Sequence, residues 1–314
     1  MKIREKPLPM TVLAGFLGAG KTTVVNHLLR HAGGRRIMVL VNDFGELPID
    51  EELIATKEEN ILTLANGCAC CSMGGDLYAA FSAALDFIPP PDHLLIEASG
   101  VAEPKRIANF ARAEPDLAMN GIVTVVDALN YENARSDARL SEILKNQIQT
   151  AHMLLLNKCD LVGSQDIERH KKALRKLNKS APVLTISNGI LAADIFFGIE
   201  NPMPGSNPAA ENEHHHSHES NFSRWSFKTE GAIDKTGLRE ILETLPSSVL
   251  RLKGIFKSLE DGQLWAVHKV GSYVDFSHLT TPDNFSGKTG FVAIGLSSSN
   301  LTEIMDKAFA SLEE

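Results

Sequence analysis

Residues 15 to 22 read Gly15-Phe16-Leu17-Gly18-Ala19-Gly20-Lys21-Thr22, the pattern G-x-x-x-x-G-K-[ST]. No other feature narrows the fold of this chain as much. An apolar strand-like segment, Thr11 to Gly15, precedes it, and an amphipathic helical segment, Thr22 to His31, follows it. That order is what a phosphate-cradling loop demands. Glycine lets successive backbone N–H groups close on phosphate oxygens without a Cβ in the way. Lys21 is then placed to neutralise the β and γ oxygens, and the Thr22 hydroxyl to ligate Mg²⁺. The helix contributes its positive N-terminal end. Gly15, Gly18, Ala19, Gly20, Lys21, Thr22 and Thr23 are therefore the expected phosphate-side residues of a nucleotide site.

The rest of the first two-thirds alternates strand and helix patterns. Strands are expected at Arg36–Val41, Asn60–Leu64, His93–Glu97, Gly121–Val126, Met153–Leu156 and Val183–Ile186. Helices are expected at Leu77–Phe87, Pro104–Arg112, Leu140–Thr150 and Asp166–Asn178. Alternation of this kind predicts an α/β fold of the P-loop NTPase type, a mostly parallel sheet with helices on both faces. The stretch Gly198–Asn221 carries Pro202, Pro204, Gly205 and Pro208 and few apolar residues, the signature of a linker. Beyond it, strands at Arg224–Lys228, Val249–Phe256, Leu264–Val270 and Phe291–Leu296 and helices at Leu238–Leu245 and Leu301–Leu312 form a small α+β domain. The expected division is residues 1–200, a linker over 201–221 and a C-terminal domain over 222–314.

Charge excludes some classes of partner. Lys and Arg number 31 against 39 Asp and Glu, a net charge of −8. Sequence-independent nucleic-acid binding needs basic surface, so no nucleic-acid partner is expected. No apolar run reaches the ~18 residues of a membrane span. The charged start, Met1 to Lys6, leads into the phosphate loop rather than a signal segment. The expected location is the cytoplasm.

Two further segments complete a nucleotide site. In His93-Leu94-Leu95-Ile96-Glu97-Ala98-Ser99-Gly100 a strand ends in a carboxylate suited to holding Mg²⁺, and the Gly100 amide is placed to sense a γ-phosphate. Val125-Val126-Asp127 is a rival strand ending in a carboxylate. Glu97 is preferred because x-x-Gly follows it, leaving Asp127 a supporting role. After the strand at 153–156 comes Asn157-Lys158-Cys159-Asp160. The Asp160 carboxylate can accept from N1–H and N2–H₂ of guanine, donors that adenine lacks there. Asn157 would hold neighbouring loops and the Lys158 stem would pack on the base. Ser187 and Asn188, after the last strand, lie where a backbone amide meets the guanine oxygen. The order of these motifs predicts GTP and GDP rather than ATP.

Three of the four cysteines, Cys68, Cys70 and Cys71, fall within four positions of a glycine-flanked segment. Three thiolates so placed suit one soft or borderline metal, Zn²⁺ or Co²⁺, and leave a position open. Asp43 and Glu46, in Asn42-Asp43-Phe44-Gly45-Glu46, are acidic candidates for the metal or for the attacking water. His214, His215, His216 and His218 form an imidazole cluster in the linker, an auxiliary metal-capture site.

GFLGAGKTT, VNDFGELPID, GCACC, IEASGVAEP and NKCD, in this order, resemble the motif series of the CobW-like metallochaperone GTPases, which share a broad class with the urease and hydrogenase nickel-insertion GTPases. Leu250-Arg251-Leu252-Lys253-Gly254 resembles the start of a strand in that family's C-terminal domain. The resemblance implies GTP-dependent delivery of zinc or cobalt to a client apo-metalloprotein, with C-x-C-C as the metal site. Asp43 departs from the family's usual glutamate and has a shorter reach. The client is expected to dock through the C-terminal domain, and the chain to be a monomer or a nucleotide-dependent dimer. Hydrolysis is expected to be slow without a partner, since Val101 stands where Ras-like proteins carry a water-orienting Gln. Lys21, Glu97 and one of Asp43 and Glu46 are the expected catalytic residues. A GTP-binding metal store or sensor, and a small-molecule kinase, are the competing readings.

Overall fold

A computed structural model describes residues 7–41, 61–63, 75–137, 140–198, 222–229, 231–279 and 289–312. The chain divides into two compact units, Met1–Ala193 and Asp194–Glu314.

The first unit is built on seven parallel strands: β1 (Leu8–Gly15), β2 (Ile37–Val41), β3 (Ile61–Thr63), β4 (His93–Glu97), β5 (Leu117–Asp127), β6 (Met153–Asn157) and β7 (Val183–Thr185). Their order in the sheet is β3-β2-β4-β1-β5-β6-β7. The helices between them are α1 (Lys21–Arg30), α2 (Gly75–Asp86), α3 (Pro104–Arg112), α4 (Tyr131–Ser136), α5 (Leu140–Thr150) and α6 (Ser164–Leu177). Ile37-Met38-Val39-Leu40-Val41 and Met153-Leu154-Leu155-Leu156 are buried at every position, as strands covered on both faces must be. Helix α3 starts with Pro104 in its first turn, where a missing N–H costs nothing. Strand β1 is central, bonded to β4 through Thr11↔Leu95 and to β5 through Thr11↔Gly121. The sheet order therefore turns about β1, and the crevice at the carboxyl ends of such strands is where ligands bind in open α/β sheets.

In the second unit α7 (Ala193–Phe197, its first residue belonging to the first unit) leads to β8 (Phe222–Thr229), β9 (Ala232–Ile233), α8 (Lys235–Thr244), β10 (Val249–Ser258), β11 (Leu264–Val270), β12 (Tyr273–His278), β13 (Thr289–Leu296) and α9 (Leu301–Phe309). The antiparallel order is β12-β11-β10-β13-β8, with β9 alongside β10. Trp225, Leu252, Phe256, Val267, Phe291 and Ala293 line the sheet face that Leu238, Leu242, Met305 and Phe309 of α8 and α9 cover. A Cβ on Gly254 would fall 2.1 Å from Phe291 Cδ1, so the glycine makes room for that ring. Asp234 caps α8 by accepting from the Thr236 and Gly237 amides.

The α/β reading and the separate C-terminal sheet domain hold. Among the described residues, four α-helices and strands add to the expected ones: α4, α7, β9 and the edge strand β12. The expected closing helix Leu301–Leu312 is α-helical only to Phe309 and tightens to a 3₁₀ turn over Ala310–Leu312.

Candidate nucleotide site

The phosphate loop leaves β1 at Gly15, whose φ of +145° and closeness to β5 both require glycine; a Cβ there would lie 2.4 Å from the Val125 carbonyl oxygen. Gly20 has φ +97° and faces the Asn157 amide, with 2.4 Å between a notional Cβ and Nδ2. Between them the Ala19 amide closes a turn on the Phe16 carbonyl at 3.1 Å. Lys21 starts α1 and is largely buried. Its ammonium donates to the Gly15 carbonyl at 3.0 Å and lies 3.4 Å from that of Phe16. The cation is thereby held over the loop that would wrap a phosphate.

Thr22, next in α1, donates its hydroxyl to Glu97 Oε1 at 2.9 Å. Glu97 ends β4 and is 3% exposed. Two oxygen-bearing side chains from different elements thus meet beside the loop, a donor set suited to a hard divalent cation. Asp127, the rival carboxylate, is engaged elsewhere: Lys158 Nζ lies 2.7 Å from its Oδ2, and Asn130 and the Leu129 amide also donate to it. Partial burial pushes the Asp127 carboxyl up, but the Lys158 ammonium and the Asn130 contacts outweigh this and hold it below the usual carboxylate value.

After β4 the chain passes through Ser99 and Gly100 in a turn closed by the Ala102 amide on the Ser99 carbonyl. Gly100 lies against the phosphate loop, and a Cβ there would be 2.5 Å from Leu17 Cδ2. Gln147, from α5, donates to the carbonyls of Gly100 at 3.1 Å and Ala102 at 3.2 Å. Sequence reasoning missed this residue. A glutamine inside a helical pattern carries no local sign of a partner more than forty positions away.

On the other flank, Asn157 at the end of β6 is 2% exposed and makes two ties. Its Nδ2 donates to the Ala19 carbonyl at 3.0 Å, and its Oδ1 accepts from the Gly189 amide at 3.2 Å. Lys158 adopts φ +63° and Asn188 φ +53°, so both loops turn sharply on leaving their strands. Asp160 and Asn188 are exposed and Ser187 is half-buried. Gly189 packs on the start of α1, where a Cβ would lie 2.8 Å from the Val24 amide nitrogen. Thr23 is exposed on that first turn. Cys159 donates to the Leu156 carbonyl, and burial pushes its thiol pKa up.

The structure therefore brings together Gly15, Gly18, Ala19, Gly20, Lys21, Thr22, Thr23, Glu97, Gly100, Asn157, Lys158, Asp160, Ser187 and Asn188 at one end of the sheet. Asp43, Glu46, Cys68, Cys70, Cys71, His214, His215, His216 and His218 lie outside the described residues. Among the described residues no cluster of three or more His, Cys, Asp or Glu could hold a metal, and no helix is long and apolar enough to cross a membrane.

Residues 9–185 match the model of the CobW/HypB/UreG nucleotide-binding domain, and residues 222–312 match that of the cobalamin synthesis protein cobW C-terminal domain. The chain is 29% identical to the zinc chaperone CobW of Sinorhizobium sp, over 87% of its own length and 88% of the relative's. It is likewise 29% identical to the zinc chaperone YjiA of Escherichia coli (strain K12), over 79% of this chain and 81% of the other. Among solved structures, the Zn(II)-bound YjiA GTPase from E. coli aligns over 98% of this chain and all of its own, at 23% identity with a TM-score of 0.47.

Proposed function

Since the chain belongs to the CobW/HypB/UreG family of nucleotide-binding proteins, we propose that it is a GTP-hydrolysing metallochaperone that carries zinc to a client metalloprotein. The observation that carries the nucleotide half is the double tie of Asn157. One buried amide joins the phosphate loop at Ala19 to the loop at Gly189. This supports a pocket in which triphosphate and guanine are gripped from a common support, with Asp160 accepting from the guanine edge and the Ser187–Asn188 backbone meeting its oxygen.

Hydrolysis forms a bond from a water oxygen to the γ-phosphorus and breaks the bond to the β–γ bridging oxygen, giving GDP and phosphate. Lys21 exchanges the Gly15 and Phe16 carbonyls for phosphate oxygens, which carry negative charge and are stronger acceptors. Thr22 and Glu97 would hold Mg²⁺, which when bound supplies charge neutralisation at the β and γ oxygens. The Gly100 amide faces the γ-phosphate, and Asp43 or Glu46 orients the water.

The cargo half rests on sequence and kinship. Cys68, Cys70 and Cys71 bind Zn²⁺, with Co²⁺ as a chemical substitute, and His214, His215, His216 and His218 capture metal for that site. Relatives of matching length are named zinc chaperones. The metal segment and the acidic loop at Asn42–Glu46 fall between the phosphate loop and Glu97 in the chain. Loss of the γ-phosphate can then loosen the metal site, as order–disorder steps do in other GTPases. Linkage requires metal and GTP to tighten each other equally, by about 5–150-fold. Partner-free turnover is slow, and the client docks through the C-terminal domain over residues 222–314, with residues 1–200 forming the GTPase domain and 201–221 the linker.

The test is competition for Zn²⁺ against a calibrated chelator in a GTP analogue and in GDP, alongside phosphate release. Equal zinc affinity in both states would leave a GTP-binding metal store and remove delivery. Zinc-independent binding of ATP and GTP alike would remove the guanine reading.

A further inference from the structure

Gln147 is a buried polar side chain that the proposed reaction leaves unused, although it touches the segment that carries Gly100. It belongs to α5 and is 1% exposed. Its Nε2 donates to two backbone carbonyls, Gly100 at 3.1 Å and Ala102 at 3.2 Å. Carbonyls only accept, so both contacts require the nitrogen of the amide, and its orientation is fixed by chemistry. The Oε1 is buried and has no hydrogen-bond partner among the described residues. The glutamine itself is anchored, because Thr124 of β5 donates its hydroxyl to the Gln147 carbonyl at 3.0 Å.

A buried amide with an idle oxygen is a poor choice for stability alone. What it does achieve is placement. The segment Ala98–Ala102 is held from three directions: by the Ala98 amide on the Leu13 carbonyl, by Leu17 against Gly100, and by Gln147 on the carbonyls either side of Val101. Only the last of these is a side chain that can be removed without touching the phosphate loop.

Resting on the GTPase reading above, we propose that Gln147 is a positioning residue that sets how strongly this protein distinguishes GTP from GDP. By pinning the two carbonyls it fixes the Gly100 segment for the γ-phosphate before nucleotide arrives, and the ordering is not drawn from binding energy. GDP makes no demand on that segment, so its affinity does not depend on Gln147.

The experiment titrates full-length protein with a non-hydrolysable GTP analogue and with GDP, both with Mg²⁺. The variants are Gln147→Leu, which removes the donor, Gln147→Glu, which replaces it with an isosteric acceptor, and Gln147→Asn, which keeps the amide but shortens its reach. Leu and Glu are expected to weaken analogue binding at least ten-fold and GDP binding less than two-fold, with Asn intermediate. An equal change for both nucleotides, or no change, overturns the proposal. If Leu and Glu do not yield folded protein, Asn decides: an unchanged analogue-to-GDP ratio overturns the proposal. Wild-type protein that binds neither nucleotide would defeat the GTPase reading instead, a separate result.

Discussion

The Thr22 hydroxyl donates to Glu97 Oε1 across 2.9 Å, joining the first turn of α1 to the last residue of β4. Seventy-five positions separate the two in sequence. Their meeting depends on β4 lying beside β1 in the sheet, with Leu13 opposite Glu97. The pair places a hydroxyl and a buried carboxylate where the phosphate loop hands over to the helix.

Glu97→Gln keeps the shape of this contact and removes its charge. Phosphate release is expected to fall by about 100-fold, in line with loss of a preorganised electrostatic group. Analogue binding should lose its dependence on Mg²⁺, while GDP without Mg²⁺ binds as in the wild type. A variant whose nucleotide binding still tightens on adding Mg²⁺ would place the cation elsewhere. Asp127→Asn is the control, expected to change phosphate release far less.

Asp160→Asn should shift base preference from guanine toward xanthine, because the amide donates where the carboxylate accepted. Competition between GTP and XTP measures it directly. Asn157→Ala should weaken both nucleotides. It also lowers stability by ~1–3 kcal/mol, since the Ala19 carbonyl and the Gly189 amide lose a buried partner. Retention of full GTP affinity in this variant would show that the two loops hold without the amide.

Gly20→Ala meets two obstacles at once, a φ of +97° and the Asn157 Nδ2 at 2.4 Å from the new methyl. The expected cost is about 1–3 kcal/mol of stability, read as a lower urea midpoint, with loss of nucleotide binding. Gly18→Ala is the contrast. It shares the positive φ, +73°, but nothing lies within 4 Å, so it bears the backbone cost alone.

His152 gives a pH dependence. Its Nδ1 accepts from the Ile122 amide at 3.0 Å, a bond only an unprotonated nitrogen can make. Burial, aided by the Arg112 charge, pulls its pKa down from 6.5 to about 4. The unfolded chain takes up a proton near pH 6.5 and the folded chain only near pH 4. Unfolding therefore binds a proton in this window, and stability falls as pH drops from 6.5 to 4, by up to ~3 kcal/mol from this group. NMR should show the His152 ring neutral at pH 5.5. A ring that titrates near 6.5 would remove the effect.

What was legible in the sequence follows from how local each signal is. Gly15, Gly20 and Lys21 are dictated by a loop eight residues long, and the buried runs at 37–41 and 153–156 state their own environment. Strand β12 was not legible, because Tyr273-Val274-Asp275-Phe276-Ser277-His278 is half-buried over most of its length and owes its pairing to β11. Helix α7 is too short for a helical period to show, although Ile195, Phe196 and Phe197 are all buried. Gln147 was illegible for a third reason: its partners are main-chain oxygens, which look alike in any sequence. The preference for Glu97 over Asp127 rested on x-x-Gly spacing, and the structure places Thr22 on the former and Lys158 on the latter.

Strand β1 is laddered on both sides, to β4 over four residues and to β5 along its whole length. In hydrogen-exchange terms its amides should be among the slowest in the first unit, opening only with global unfolding. Nucleotide exchange cannot then proceed by fraying the stem of the phosphate loop. Release has to come from the segments beyond Gly15 and beyond the carboxyl ends of the neighbouring strands. A partner that accelerates exchange would have to pry at those edges, and deuterium uptake in β1 should stay the same whether it is bound or not.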